Sequence, residues 1–195
     1  MRLTFIFVLV SISFRSLAQS NEKLNSFFQD FLRSSGIAVP VLYTDDMPNW
    51  GLSERIRAVD KDTIHGWNRN KMQEANRGRD SLVLTAEERA FLVQEVNQQK
   101  GKRWQQGVIQ GARLIPRDSL PMSFKTARSD WNKLQSNYGK EYYSFSQPIF
   151  LRGDSLCFFY FEQHCGYECA NAEFVIFRKV KGYWEFAFRF WGWVS

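Results

Sequence analysis

Residues 155–191 read SLCFFYFEQHCGYECANAEFVIFRKVKGYWEFAFRFW. No 3.6-residue spacing of apolar side chains runs through this stretch. Its pattern is alternating or continuously apolar, which is the signature of strands. Together with the preceding YSFSQPIFL it predicts four strands, near residues 143–151, 155–163, 172–180 and 183–191. Arg152-Gly153-Asp154 and Val180-Lys181-Gly182 supply the tight reversals between them, so the expectation is an antiparallel meander. In the last strand Trp184, Phe186, Phe188 and Phe190 are expected to share one face, opposite Glu185, Ala187 and Arg189. Strands 155–163 and 172–180 are apolar on both faces and should be central.

Working outward, the aromatic content falls: 18 of the 32 Phe, Trp and Tyr residues lie in the last 55 positions. The part before residue 140 reads mainly as helix and loop. Residues 20–35 place Leu24, Phe27, Phe28, Phe31 and Leu32 at helical spacing before Gly36, an amphipathic helix ended by a glycine. From Val39 to Arg79, Pro40, Pro48, Gly51, Gly66 and Gly78 interrupt every periodic run, and the expectation is loop with short helical pieces. Residues 81–84 read as a short strand. Thr85 and Glu88 then form a capping box that opens a helix over 86–99, with Ala90, Phe91, Val93 and Val96 facing inward. A further helix is expected over 126–138, with Trp131, Leu134 and Tyr138 on one side. The fold class is therefore α+β: N-terminal helices packed on a C-terminal antiparallel meander of about four strands, in a single domain over 19–195. Within it, 19–140 forms a mainly helical and loop layer and 141–195 an aromatic sheet layer.

The first residues carry an address. Met1 and Arg2 precede an apolar run from Leu3 to Phe14, followed by Ser16-Leu17-Ala18, which suits cleavage before Gln19. This is the pattern of a secretory signal peptide over 1–18. A run of 12 apolar residues falls short of the roughly 20 needed to span a bilayer, and no Cys stands at the cut, which argues against a lipoprotein. The whole chain carries +6. Removing Arg2 and Arg15 leaves 24 basic against 20 acidic side chains, or +4. So modest an excess, in an exported chain, gives no basis for nucleic-acid binding. The expected destination is the periplasm or the exterior, with no transmembrane segment in the mature chain.

Chemistry-bearing residues are few. His164-Cys165-Gly166-Tyr167-Glu168-Cys169 falls on the turn between the two central strands. In an oxidising compartment a Cys165–Cys169 disulfide is the first reading, and it requires a tight turn because four extended residues span about 13 Å. A metal site of His164, Cys165 and Cys169 with Glu162 or Glu168 is the weaker alternative, and free thiols are another. Cys157, flanked by Leu156 and Phe158, should be a buried free thiol out of reach of Cys165. The chain has two His residues, which limits acid–base schemes to His164 and to His65, the latter expected at the surface. Arg152-Gly153-Asp154 reads as a strand reversal rather than an adhesion tripeptide. Trp191 and Trp193, expected opposite the Phe186/Phe188/Phe190 face, are the candidate binding residues. No phosphate-loop, dinucleotide, metalloprotease or nucleophile-elbow pattern occurs, and no cofactor is implied.

Four blocks carry a resemblance to a known family. They are Leu84-Thr85 with Glu88 opening a helix, Phe145-Ser146-Gln147-Pro148-Ile149-Phe150, the turn from Cys165-Gly166 to Cys169, and Lys179 with Gly182 and Trp184. In these the chain resembles a family of uncharacterised exported proteins common in Bacteroidetes, over roughly its last 115 residues; Ala170 stands where that family often has Gly. The resemblance implies export and an α+β domain and supplies no catalytic residues. The functional expectation is a non-catalytic periplasmic or surface interaction module whose partner is an envelope protein or a glycan. The alternative is a small hydrolase-like pocket enzyme using His164 or His65.

Overall fold

The fold is seen in a computed structural model that describes residues 21–48, 62–68, 78–120 and 127–195. The signal-peptide expectation lies outside the described residues. Among them are three α-helices: α1 over residues 21–35, α2 (Ala86–Gln98) and α3 (Ala127–Asn137). Nine strands follow in chain order: β1 (Val41–Thr44), β2 (Thr63–Trp67), β3 (Arg79–Val83), β4 (Ala112–Ile115), β5 (Tyr142–Phe145), β6 (Ile149–Leu151), β7 (Leu156–Gly166), β8 (Cys169–Val180) and β9 (Tyr183–Val194). All nine belong to one sheet ordered β3-β2-β9-β8-β7-β5-β1-β4, with β6 also paired to β7. The chain is α+β, as the sequence indicates, but mostly sheet.

The four-strand antiparallel meander is thus a fragment of a larger mixed sheet. β7, β8 and β9 do form an antiparallel meander, and the first two are internal as expected. Lys181 and Gly182, both at positive φ, make the β8–β9 reversal. β1, however, runs parallel to both β4 and β5. The expected loop from Val39 to Arg79 contributes β1, β2 and the first residue of β3; two of its parts, 49–61 and 69–77, lie outside the described residues. These strands have four or five residues each, too few for a period of two to stand out between prolines and glycines. Their pairing comes from neighbours remote in sequence. Ser146-Gln147-Pro148 also splits the expected strand 143–151 into β5 and β6, since a proline donates nothing to a ladder.

The helices do not cover one face of the sheet; they flank both. Along β7, Cys157 and Phe159 pack with Phe27, Phe28 and Phe31 of α1. Phe158 and Tyr160 point the other way and pack with Leu92 and Val96 of α2. On that second side α3 lays Trp131 and Leu134 against Leu42, Ile115 and Tyr142. In α2 the inward residues are Leu92, Val96 and partly Val93, while Ala90 and Phe91 are exposed. The expected stripe was rotated, because a weakly amphipathic helix is aimed by its anchors rather than by its own pattern.

Those anchors are local and legible. α1 ends at Gly36 (φ 67°), where the Gly36 and Ile37 N–H groups donate to the Arg33 and Leu32 carbonyls, the Schellman arrangement. Asp30, 6% exposed, accepts from the Trp184 backbone N–H (2.8 Å) and pairs with Arg33, fixing α1 to the start of β9. Thr85 and Glu88 make the expected capping box on α2. Glu88 also accepts two hydrogen bonds from Arg152, whose Nη2 reaches the Val83 carbonyl as well. The Arg152 partnership holds the Glu88 carboxyl below its usual range. At the far end of the helix Gln99 donates to the Gln147 carbonyl and accepts from the Gln147 N–H, docking α2 on the β5–β6 connection. Asp154 pairs with Lys23 of α1. Both charges of Arg152-Gly153-Asp154 are therefore engaged within the chain, as suits a strand reversal.

β9 departs most from its pattern. Ile176 pairs with Phe188 but Phe177 with Phe186, and Phe174 pairs with Trp191 but Val175 with Arg189. Ala187 and Phe190 are each one residue too many, that is, β-bulges, and each reverses the alternation. Trp184 and Phe186 consequently pack on the α1 side, whereas Phe188 and Phe190 pack on the α2 side. Trp191 and Trp193 join Phe188 and Phe190 rather than facing away from them. Gly66 in β2 lies against this irregular segment, where a Cβ would overlap the Phe188 ring and the Arg189 carbonyl.

Candidate functional site

Of the residues singled out in the sequence, His164, Cys165, Cys169, Trp191 and Trp193 converge at one end of β7–β9, the end remote from the 152–154 and 181–182 turns. Cys165 and Cys169 form a disulfide there, with Cα atoms 5.1 Å apart. Both sulfurs are thereby removed as metal ligands, and among the described residues no group of three or more His, Cys, Asp or Glu side chains is placed to hold a metal. The weaker metal reading of His164, Cys165 and Cys169 is set aside. Cys157 is free and fully buried, and burial pushes its thiol well above the usual range, so the inert reading holds.

Alternation along β7 puts Tyr160, Glu162 and His164 on the α2/α3 side. Register brings Tyr142 opposite His164 and Ser144 opposite Glu162. The Glu162 carboxylate, 7% exposed, accepts from the Tyr160 hydroxyl (2.9 Å) through Oε1, and its Oε2 lies 3.3 Å from His164 Nε2. The imidazole stacks on the Tyr142 ring, centroids 4.6 Å apart and planes within 14°. Burial, followed by the Glu162 charge, pushes the Tyr142 hydroxyl up to about 12. Thr44 and Ser144 share a buried hydroxyl–hydroxyl hydrogen bond of 3.1 Å on the neighbouring strands.

On the other side of β8 stand the tryptophans. Trp193 is the partner of Ala172, which in turn pairs with Glu162; Trp191 is the partner of Phe174, which pairs with Tyr160. The small side chains of Ala170 and Ala172 thus lie between the Glu162–His164 row and Trp193. Trp191 stacks with Tyr160, centroids 6.1 Å apart and planes at 28°. Both tryptophans are half-buried. A carboxylate, an imidazole, two phenols and two indoles therefore occupy one face of the sheet across four adjacent strands, β5, β7, β8 and β9. The Nε2 contact to Glu162 orients the imidazole, and with the proton on Nε2 it leaves Nδ1 as the basic nitrogen.

His65 is elsewhere. It is exposed on β2, three strand positions from β7 or about 14 Å across the sheet, on the side where Ile64 is not. Sequence reasoning named His164, Trp191 and Trp193, and placed Glu162 beside His164 only as one choice of fourth ligand in the alternative metal site; it missed the direct Glu162–His164 contact, and it missed Tyr142 and Tyr160. The Glu162/His164 two-residue spacing within a strand was the available signal, since it puts both side chains on one face. Compared with protein-family models, with curated proteins and with solved structures, the chain matches none.

Proposed function

We propose that the chain is an exported, non-catalytic interaction module that holds an envelope protein or glycan through Trp191 and Trp193 at the disulfide-closed end of the sheet. The observation that carries this reading is the meeting of two half-buried indoles with the Glu162–His164 pair on one face. Indoles offer large apolar area at small entropic cost, and a fixed carboxylate–imidazole pair adds directional polar recognition. The Cys165–Cys169 disulfide and the resemblance to exported Bacteroidetes proteins support an oxidising destination. A hydrolase-like reading is favoured by one observation, the orientation of the His164 ring by Glu162.

Affinity capture from the cell envelope separates the two. The wild-type chain is expected to retain a partner that the folded Trp191→Ala/Trp193→Ala variant does not, while His164→Ala weakens capture only partly. Equal capture by wild type and the double variant would overturn the module reading. Ester or amide hydrolysis by the wild type that His164→Ala abolishes would put the enzyme in its place.

A further inference from the structure

The opposite side of the same strands carries a second arrangement, independent of the Trp191–Trp193 reading. α1 covers Phe145, Phe159 and Phe177 there. Beyond the residues it covers, the surface turns polar in an ordered way. Tyr143 donates to Glu141 Oε1 (3.2 Å), Gln163 donates to Glu141 Oε2 (2.7 Å), and Asn171 donates to Gln163 Oε1 (2.9 Å). One row on, Arg189 donates to Glu173 (2.8 Å). The Arg189 side chain passes over Gly192, where an added Cβ would lie 3.5 Å from Arg189 Cδ and 2.6 Å from the Ala172 carbonyl oxygen. Trp67 pairs with Arg189 across β2 and β9; its indole is 50% exposed, and the Arg79 guanidinium lies 5.6 Å from the ring centroid.

These side chains form a strip across β5, β7, β8, β9 and β2, four inter-strand steps or about 19 Å. The two carboxylates and two guanidinium groups of the strip cancel. A polyanion or a polycation would meet as much repulsion as attraction on it. Hydroxyl groups, which both donate and accept, match an array that alternates amide and guanidinium donors with carboxylate and amide acceptors. The mutual hydrogen bonds fix the side chains in advance, so little rotamer freedom remains to be lost on binding. The half-exposed indole at the β2 end offers a flat apolar surface beside these polar groups. We propose that this strip binds an uncharged oligosaccharide laid across the strands, with one sugar ring on Trp67 and its hydroxyl groups on Asn171, Gln163 and the Glu173–Arg189 pair.

The test is an NMR titration of the mature chain with cellohexaose, chitohexaose and maltohexaose, and with polygalacturonate as the anionic arm. At least one neutral hexaose is expected to shift the Trp67 indole and the Asn171 and Gln163 side-chain amide signals. Trp67→Ala, at an exposed position, should weaken that affinity about tenfold or more, a 1.4 kcal/mol loss. Asn171→Ala should weaken it less, and Trp191→Ala should leave it unchanged. Failure of all three neutral probes, tighter binding of polygalacturonate, or full affinity in Trp67→Ala would each overturn the proposal. None of these outcomes bears on envelope capture through Trp191 and Trp193.

Discussion

The two ends of β7–β9 are built on different principles. At the end near the 152–154 and 181–182 turns, helices close over both faces. Phe27 alone lies edge-on to Phe28, Phe150, Phe159, Phe177 and Trp184. At the other end few large apolar side chains are fully buried, and the strands are held by a disulfide, a carboxylate–imidazole contact and cross-strand amides. Non-directional burial stabilises one end, and directional local bonds order the other. The lesson concerns division of labour: fully packed aromatics have no surface left for a ligand, whereas half-buried indoles and fixed polar groups keep one.

The largest expected effect lies at the packed end. Phe159, fully buried against Phe27, Phe28 and Phe31, should cost about 3–5 kcal/mol when cut to Ala. Half-buried Trp193 should cost about 1–2 kcal/mol on the same change. Urea midpoints at constant m-value measure both, and equal losses would break the comparison. The disulfide is next. Reduction, or Cys165→Ala with Cys169→Ala, should lower stability by about 2 kcal/mol by the loop-entropy estimate while the fold persists. Thiol titration of the unfolded oxidised chain should find one reactive thiol, that of Cys157, and two more after reduction; three without reductant would contradict the pairing.

The smallest effect is a pH dependence at the packed end. Arg152 holds the folded Glu88 carboxyl below its ordinary value, so the protonated form is disfavoured in the folded state. The stability this contributes is fully present above the unfolded glutamate value of about 4.3 and is lost as pH falls through the folded value. Acid unfolding curves of wild type should therefore fall more steeply below about pH 4.3 than those of Glu88→Gln. Coincident curves would show that the Arg152–Glu88 contact contributes nothing measurable, as befits many exposed ion pairs.

Legibility followed the range of the interaction. The end of α1 at Gly36, the Thr85–Glu88 capping box, the Lys181-Gly182 reversal and the Cys165–Cys169 bridge are each set within six residues of chain, and each stands in the structure as the residues indicate. Of the candidate site, the disulfide, His164 and the tryptophans were visible one by one. Their arrangement was not: Glu162 stood only as a choice of fourth ligand in the alternative metal site, and Tyr142 and Tyr160 read as ordinary strand residues until pairing sets them around Glu162 and the imidazole.

By itself the sequence determined the α+β class, the two central strands, the turns and caps, and which thiol is left unpaired; all follow from local backbone preference, chain reach and alternation. Tertiary structure decided the rest. β1 lies between β4 and β5 and β2 between β3 and β9, so β1 to β4 are placed by their pairing in the sheet, and a four- or five-residue segment has too little pattern of its own to specify that. The bulge at Ala187 moves Phe188 and Phe190 to the α2 side, and the second at Phe190 returns Trp191 and Trp193 to that same side, while Gly66 of β2 approaches closely. A bulge inverts every side chain beyond it at the cost of one residue, and no local periodicity announces where it will fall.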